Sequence, residues 1–223
     1  ANAVKELVLA GMLLSARDIV GGIKWVEENA DDENVGKSAE KAKKAFAGGE
    51  IFGKTLGVIG LGAIGRLIVD SAQALGMSVV GYDPFLNAQQ AAEISEDLRF
   101  VEDINELFAA SDYITIHVPA TDGTRGMINA EAIENMKDGV VFLNFSRDVL
   151  VDDAAMAAAL EAGKVARYVT DFANPAVVKM DRAIVIPHLG ASTAEAEENC
   201  AIMAVNEVMD YLSTGTKTHC VNM

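Results

Sequence analysis

Gly60, Gly62 and Gly65 stand in a G-x-G-x-x-G spacing within residues 54–83, which read KTLGVIGLGAIGRLIVDSAQALGMSVVGYD. An apolar run of strand character, Leu56 to Ile59, precedes them, and a helical apolar face of Ile64, Leu67, Ile68, Ala72 and Leu75 follows. Each glycine has a task in an anion cradle. The first permits a tight turn, the second lets the backbone approach a pyrophosphate, and the third lets helix and strand pack closely. The diphosphate then rests on the unpaired N–H groups of the helix start at Ala63 and Ile64, where the helix dipole favours negative charge. Met77 to Gly81 reads as the next strand, and Asp83 lies eighteen residues after Gly65. A carboxylate there accepts hydrogen bonds from ribose hydroxyls and repels a 2′-phosphate, so the pattern implies NAD in preference to NADP. A βαβ unit that merely packs, with Asp83 capping the turn before Pro84, is the blander alternative; the order of strand, glycines, helix, strand and acid weighs against it.

Further residues of catalytic type end apolar runs: His117-Val118-Pro119, Asn144-Phe145-Ser146-Arg147, Asp171 and Pro187-His188-Leu189-Gly190. The planar fork of Arg147 matches a carboxylate in two hydrogen bonds, and a fixed cation stabilises oxygen charge as it grows. A surface ion pair is the alternative for a lone arginine. His188 suits proton transfer because imidazole ordinarily titrates near neutral pH. The other two histidines, His117 inside an apolar strand and His219 in the polar tail, read as non-catalytic. Asp171 ends an apolar strand twenty-four residues after Arg147, a position that solvation alone does not explain.

The elements that must hold these residues alternate. Strands are expected near 55–60, 78–82, 98–101, 112–118, 140–144, 166–171 and 183–187, and helices near 63–75, 87–93, 103–110, 130–136, 152–162 and 193–213. Such alternation predicts an α/β fold, a doubly wound parallel sheet covered on both faces, whose ligands bind at the carboxyl ends of the strands. Ahead of it, one helix is expected through Val4 to Val26. Val4, Leu7, Val8, Leu9, Met12, Leu13, Leu14, Ile19, Val20 and Ile23 cover most of its circumference, which predicts burial at a subunit or domain interface. Residues 27–50 mix charges of both signs and read as a solvated helix and connector.

Composition narrows the partners. A net charge of −15 leaves no basic stripe for nucleic acid or an anionic membrane surface. Lys5, Glu6, Arg17, Asp18 and Lys24 interrupt the first apolar segment, so it does not read as a membrane span, and no signal-peptide pattern is visible. Cys200 and Cys220 lie outside any metal-ligand spacing and fit a reducing cytoplasm, with Cys200 read as a small core residue.

GKTLGVIGLGAIG, SDYITIHVPATDGTRGMIN, VVFLNFSRDVLVDDAAMAAAL and IPHLGAST resemble, in order and spacing, the motifs of the D-isomer-specific 2-hydroxyacid dehydrogenases, most closely the D-3-phosphoglycerate dehydrogenases. The resemblance is strong over residues 51–214. It implies a Rossmann domain over 1–223: a dimerisation helix and connector at 1–50, the core at 51–190, and a return helix and exit segment at 191–223. The family's separate substrate-binding lobe is not matched by any part of this chain. Hydride transfer between NAD and 3-phosphoglycerate or 3-phosphooxypyruvate is the implied reaction, with Arg147 binding the substrate carboxylate and His188 as acid and base. By the same resemblance Val118 and Pro119 line the adenine and ribose channel, Thr124 reaches the cofactor, and Phe145 and Ser146 pass beneath the nicotinamide ribose. Asp171 bonds the carboxamide, and Gly190 follows His188 at the site. Simple packing is an equal alternative for Val118, Pro119 and Phe145. A homodimer through the first helix is implied, and no metal.

Two departures stand out. A glutamate that the family places shortly after the Asp171 position, hydrogen-bonded to the catalytic histidine, is missing from TDFANPAVVKMDRAIVIPH; its ungapped position is Ala176. Asp148 replaces the glycine that commonly follows the arginine, setting a carboxylate in competition with substrate. Another 2-hydroxyacid dehydrogenase, such as a glyoxylate or hydroxypyruvate reductase, and a non-catalytic NAD-sensing module are therefore kept as alternatives.

Overall fold

The computed structural model describes residues 1–218. His219, Cys220 and the end of the exit segment lie outside the described residues. Three helices come first, α1 (Asn2–Ala16), α2 (Ile19–Glu28) and α3 (Val35–Ala42), followed by a 3₁₀ turn at Lys43–Phe46. The single helix expected through Val4 to Val26 is thus two. Arg17 adopts extended backbone, and the Asp18 carboxylate accepts the Gly21 N–H at 3.0 Å, capping α2 and starting it afresh. The charged connector is solvated as expected, with Phe46 returning to meet Trp25 at a ring separation of 6.5 Å.

Strands and helices then alternate: β1 (Thr55–Ile59), α4 (Ala63–Ala74), β2 (Ser78–Tyr82), α5 (Ala88–Ala92), β3 (Arg99–Phe100), α6 (Ile104–Ala110), β4 (Tyr113–Ile116), α7 (Ala130–Glu134), β5 (Val140–Asn144), α8 (Asp153–Ala162), β6 (Val165–Thr170), β7 (Ala183–Val185) and α9 (Ala194–Thr214). All seven strands are parallel in the order β3-β2-β1-β4-β5-β6-β7. Chain direction across the sheet reverses between β1 and β4, which opens a crevice at their carboxyl ends.

The two-residue period of the strands sorts the core into two layers. Ile59, Ile116, Phe142 and Tyr168 face one side, packed with Leu107 and Phe108 of α6 and Met156 and Leu160 of α8. Leu56, Val58, Leu143 and Val169 face the other, against Ile68, Val69 and Ala72 of α4 and Val8 and Met12 of α1. In α4 the buried stripe includes Val69, while Leu75 at its end is exposed.

Helix α1 packs one face, Val8, Gly11 and Met12, into the core of its own chain. Val8 and Met12 are fully buried, each contributing roughly 1.5–3 kcal/mol, and Gly11 lets the helix sit close against Phe145 and Val169. Of the segment Leu7 to Leu14, Leu7, Leu9 and Leu14 are half-buried and Leu13 is exposed, and the uncovered apolar face continues through Ile19, Ile23 and Val26. Helix α9 shows the reverse. Thr193 caps it and Gly215, at φ 75°, ends it, yet none of its residues is buried, so Cys200 is exposed and not a core residue. Among the described residues no helix is long and apolar enough to cross a membrane.

Candidate functional site

The glycine turn after β1 is shaped by close approach. Gly60 has φ 91°, and a Cβ there would lie 2.6 Å from the carbonyl oxygen of His117, just past β4. A Cβ on Gly65 would lie 2.0 Å from the Gly60 carbonyl oxygen, so helix and turn touch only because both residues lack side chains. Gly62 differs: nothing stands within 4 Å of its missing Cβ, and α4 begins there without a side-chain cap. Open space therefore adjoins the start of the helix, whose first N–H groups no side chain caps, as a diphosphate site requires. Ile64 is half-buried against the core, leaving only the main chain of Ala63 and Ile64 to meet an anion.

Asp83, after β2, closes the turn. Its Oδ2 accepts the Leu61 N–H at 2.9 Å and its Oδ1 the Phe85 N–H at 3.0 Å. A carboxylate has about four lone-pair sites, so two remain for a diol.

The loops after β4 and β5 are tied together. Ser146 Oγ donates to the Val118 carbonyl at 2.6 Å, and Thr124 Oγ1 donates to the Pro119 carbonyl at 2.7 Å while accepting the Thr121 N–H. Thr124 thus holds its loop closed. Val118 is half-buried and Pro119 exposed. The Phe145 ring is buried beneath α1, against the space at Gly11, so its side chain serves packing.

Asn144 was assigned no role from its type, yet it organises this turn. Fully buried, it donates through Nδ2 to the Arg147 carbonyl at 2.8 Å and accepts the Ser146 N–H at 3.1 Å. The signal was a polar amide ending an otherwise apolar strand, which must find partners for both ends. Arg147 emerges in extended conformation, exposed, its Nη1 donating to the Ser146 carbonyl at 2.6 Å. Asp148 does not compete for it. Its carboxylate accepts the Val149 N–H at 2.8 Å and opens the 3₁₀ turn Asp148–Leu150, and the described residues contain no Arg147–Asp148 ion pair.

Beyond β6, Asp171 is 1% exposed. Burial pushes its carboxyl up from the ordinary range, opposed by the Gly190 N–H, which donates to Oδ2 at 3.0 Å, and by the positive charge of His188. Its Oδ1 is buried without a partner. An unpaired buried acceptor costs stability unless a ligand N–H meets it, which fits an amide-bearing ligand at this point. His188 is exposed, at φ 22°, with its N–H donating to the Asp171 carbonyl at 2.9 Å. The histidine read as non-catalytic, His117, has its ring withdrawn from solvent, Nε2 bonded with Thr115 Oγ1 at 2.8 Å, and burial pushes its pKa down to about 3. It stays neutral and is poorly suited to proton transfer.

The open helix start, the two free lone-pair sites of Asp83 and the unpaired Oδ1 of Asp171 lie along one end of the sheet, where a dinucleotide fits. The model of the D-isomer-specific 2-hydroxyacid dehydrogenase NAD-binding domain matches residues 9–190. A D-3-phosphoglycerate dehydrogenase of Methanocaldococcus jannaschii is 36% identical over 99% of this chain, and the chain spans 41% of that relative. A hydroxypyruvate reductase of Thermotoga maritima is 35% identical over 95% of the chain and 67% of its own length. Among solved structures, a glyoxylate reductase from Paecilomyes thermophila superposes with a TM-score of 0.85 at 27% identity, covering 99% of this chain and 65% of that one.

Proposed function

The chain belongs to the D-isomer-specific 2-hydroxyacid dehydrogenases through their NAD-binding domain, and on that premise we propose that it is the NAD-binding and catalytic part of a D-3-phosphoglycerate dehydrogenase. The reaction would interconvert 3-phosphoglycerate and 3-phosphooxypyruvate, a step towards serine. One observation carries this: Arg147, Asp171 and His188 follow three neighbouring parallel strands at the same sheet end as the glycine turn. NAD, when bound, supplies the hydride acceptor or donor.

Arg147 binds the substrate carboxylate and holds positive charge beside the oxygen whose charge grows. His188 gives a proton to the carbonyl oxygen in reduction and takes the hydroxyl proton in oxidation. Asp171 Oδ1 accepts from the carboxamide, and Gly190 keeps Oδ2 occupied so that Oδ1 stays turned to the ligand. The main chains of Gly62, Ala63 and Ile64 receive the diphosphate, and those of Val118, Pro119, Phe145 and Ser146 form the floor. No residue of this chain is assigned to the substrate's phosphate. Reduction of hydroxypyruvate or glyoxylate is the second reading, favoured by the Thermotoga relative, whose length this chain spans most fully of the two. Steady-state assays of the intact protein with NADH against 3-phosphooxypyruvate, hydroxypyruvate and glyoxylate decide between them; no turnover of any would leave NAD binding alone.

Asp83 makes the cofactor preference testable. Its carboxylate, held by two N–H groups, would face a 2′-phosphate directly, so NADH should bind at least about tenfold more tightly than NADPH. Calorimetric titration with both measures this, and equal affinities would remove Asp83 from the ribose site.

Homodimerisation is proposed through the outer face of α1 and α2. Leu13, Ile19, Ile23 and Val26 are 37–54% exposed there, an apolar set that a twofold partner would cover. Sedimentation at micromolar concentration should show a dimer, and Ile23→Asp with Val26→Asp should shift it to monomer. A parent protein that sediments as a monomer sinks the interface. An exposed thiol at Cys200 is consistent with a reducing cytoplasm.

A further inference from the structure

His188 lacks the support that the family pattern leads one to expect. Ala176 carries no carboxylate, and Asn174 nearby is spent elsewhere, its Nδ2 on Asp153 at 2.8 Å and its Oδ1 on the Ala176 and Val177 N–H groups. Among the described residues nothing hydrogen-bonds the imidazole. Its neighbour is instead an aromatic ring: Phe172 and His188 have centroids 5.1 Å apart at an interplanar angle of 55°. That pair is held from behind. The Asp171 carbonyl accepts the His188 N–H at 2.9 Å, and the Phe172 N–H donates to the buried Thr170 Oγ1 at 3.2 Å. The main chains that carry the two rings are thereby anchored at the end of β6.

We propose that Phe172 is the positioning residue for the His188 imidazole, fixing by ring packing the orientation that a hydrogen-bonding carboxylate would otherwise fix. The inference rests on the dehydrogenase reading above. A tilted aromatic pair favours one mutual geometry over others, and a proton donor misaimed by a small rotation loses rate steeply. Phe172 touches no substrate in this scheme. It acts through His188.

The test compares the intact parent with Phe172→Leu and Phe172→Tyr. In NMR spectra the His188 ring signals should move in Phe172→Leu, through loss of the phenyl ring current, while those of His117 stay in place. With NADH and the best 2-oxo acid, kcat should fall about tenfold with KM for NADH unchanged, and the solvent deuterium isotope effect on kcat should grow. Phe172→Tyr should restore all three. If leucine prevents folding, methionine fills the same space without a ring and takes its place. A parent that reduces no 2-oxo acid overturns the functional reading and this inference with it. A parent that does, alongside a Phe172→Leu variant with the parental kcat or unmoved His188 signals, overturns the inference alone.

Discussion

Replacing His188 with glutamine should lower reductive turnover of the intact protein by about 10²–10⁴ while leaving NADH affinity nearly unchanged, the loss expected when a general acid is removed. Glutamine keeps polarity and approximate reach but has no proton to give. The loop should survive the change, because it is the main chain of His188 that ties it to the Asp171 and Ile186 carbonyls, at 2.9 and 3.1 Å. Its ring packs against Phe172. Burial holds His117 neutral, so the other described histidine is poorly placed to substitute. Stopped-flow measurement of NADH oxidation, paired with NADH fluorescence titration, separates chemistry from binding. A variant that turned over at close to the parental rate would show that another group or a water supplies the proton.

Much of the architecture was written in local pattern. Alternation of strand runs with helical faces, punctuated by glycines, is a short-range signal, and parallel pairing follows from it because each crossover needs a helix. Strand ends were less legible. Residues of β4 and β7 were expected as far as 118 and 187, but the strands end at Ile116 and Val185, with one further ladder bond each from His117 and Ile186 before the polypeptide turns away. Helix α1 marks another limit: an apolar circumference states that a helix needs cover on several sides, not whose atoms supply it. The sheet supplies one side through Val8 and Met12. The break at Arg17-Asp18 was present in the sequence as a capping aspartate, masked by apolar residues on both sides. Cys200 was read as a core residue from the apolar residues around it, yet it is exposed on a helix none of whose residues is buried.

The site divides similarly. The close approaches at Gly60 and Gly65 and the placement of Asp83 beside the glycine turn were legible because they depend on backbone conformation at fixed chain separations, which spacing records. Residues that act through tertiary contact were not. Asn144 clamps the turn that presents Arg147, and Phe172 meets His188 across sixteen positions of sequence; neither relation leaves a periodic trace. The concern over Asp148 failed on direction. Sequence adjacency to Arg147 suggested a competing carboxylate, but the backbone passes from extended at Arg147 into the 3₁₀ turn at Asp148, whose carboxylate accepts the Val149 N–H instead.

Arg147→Ala should reduce kcat/KM for the 2-oxo acid by about 10²–10³ in the intact protein, again with NADH binding retained. The backbone beneath the side chain is fixed independently of the guanidinium, by Asn144 Nδ2 on the Arg147 carbonyl and Ser146 Oγ on the Val118 carbonyl, so truncation removes charge and fork without moving the floor. The guanidinium is exposed and donates to the Ser146 carbonyl through Nη1, which leaves further N–H donors for a substrate. Arg147→Lys distinguishes its two tasks. A lysine keeps the positive charge near the growing oxyanion but cannot grip a carboxylate with two parallel N–H groups, so it should recover part of kcat while KM for the acid stays raised. Full recovery of both by lysine would reduce the role to charge alone. Near-parental kcat/KM in Arg147→Ala would mean that the carboxylate is bound by residues outside this chain's strand-end loops.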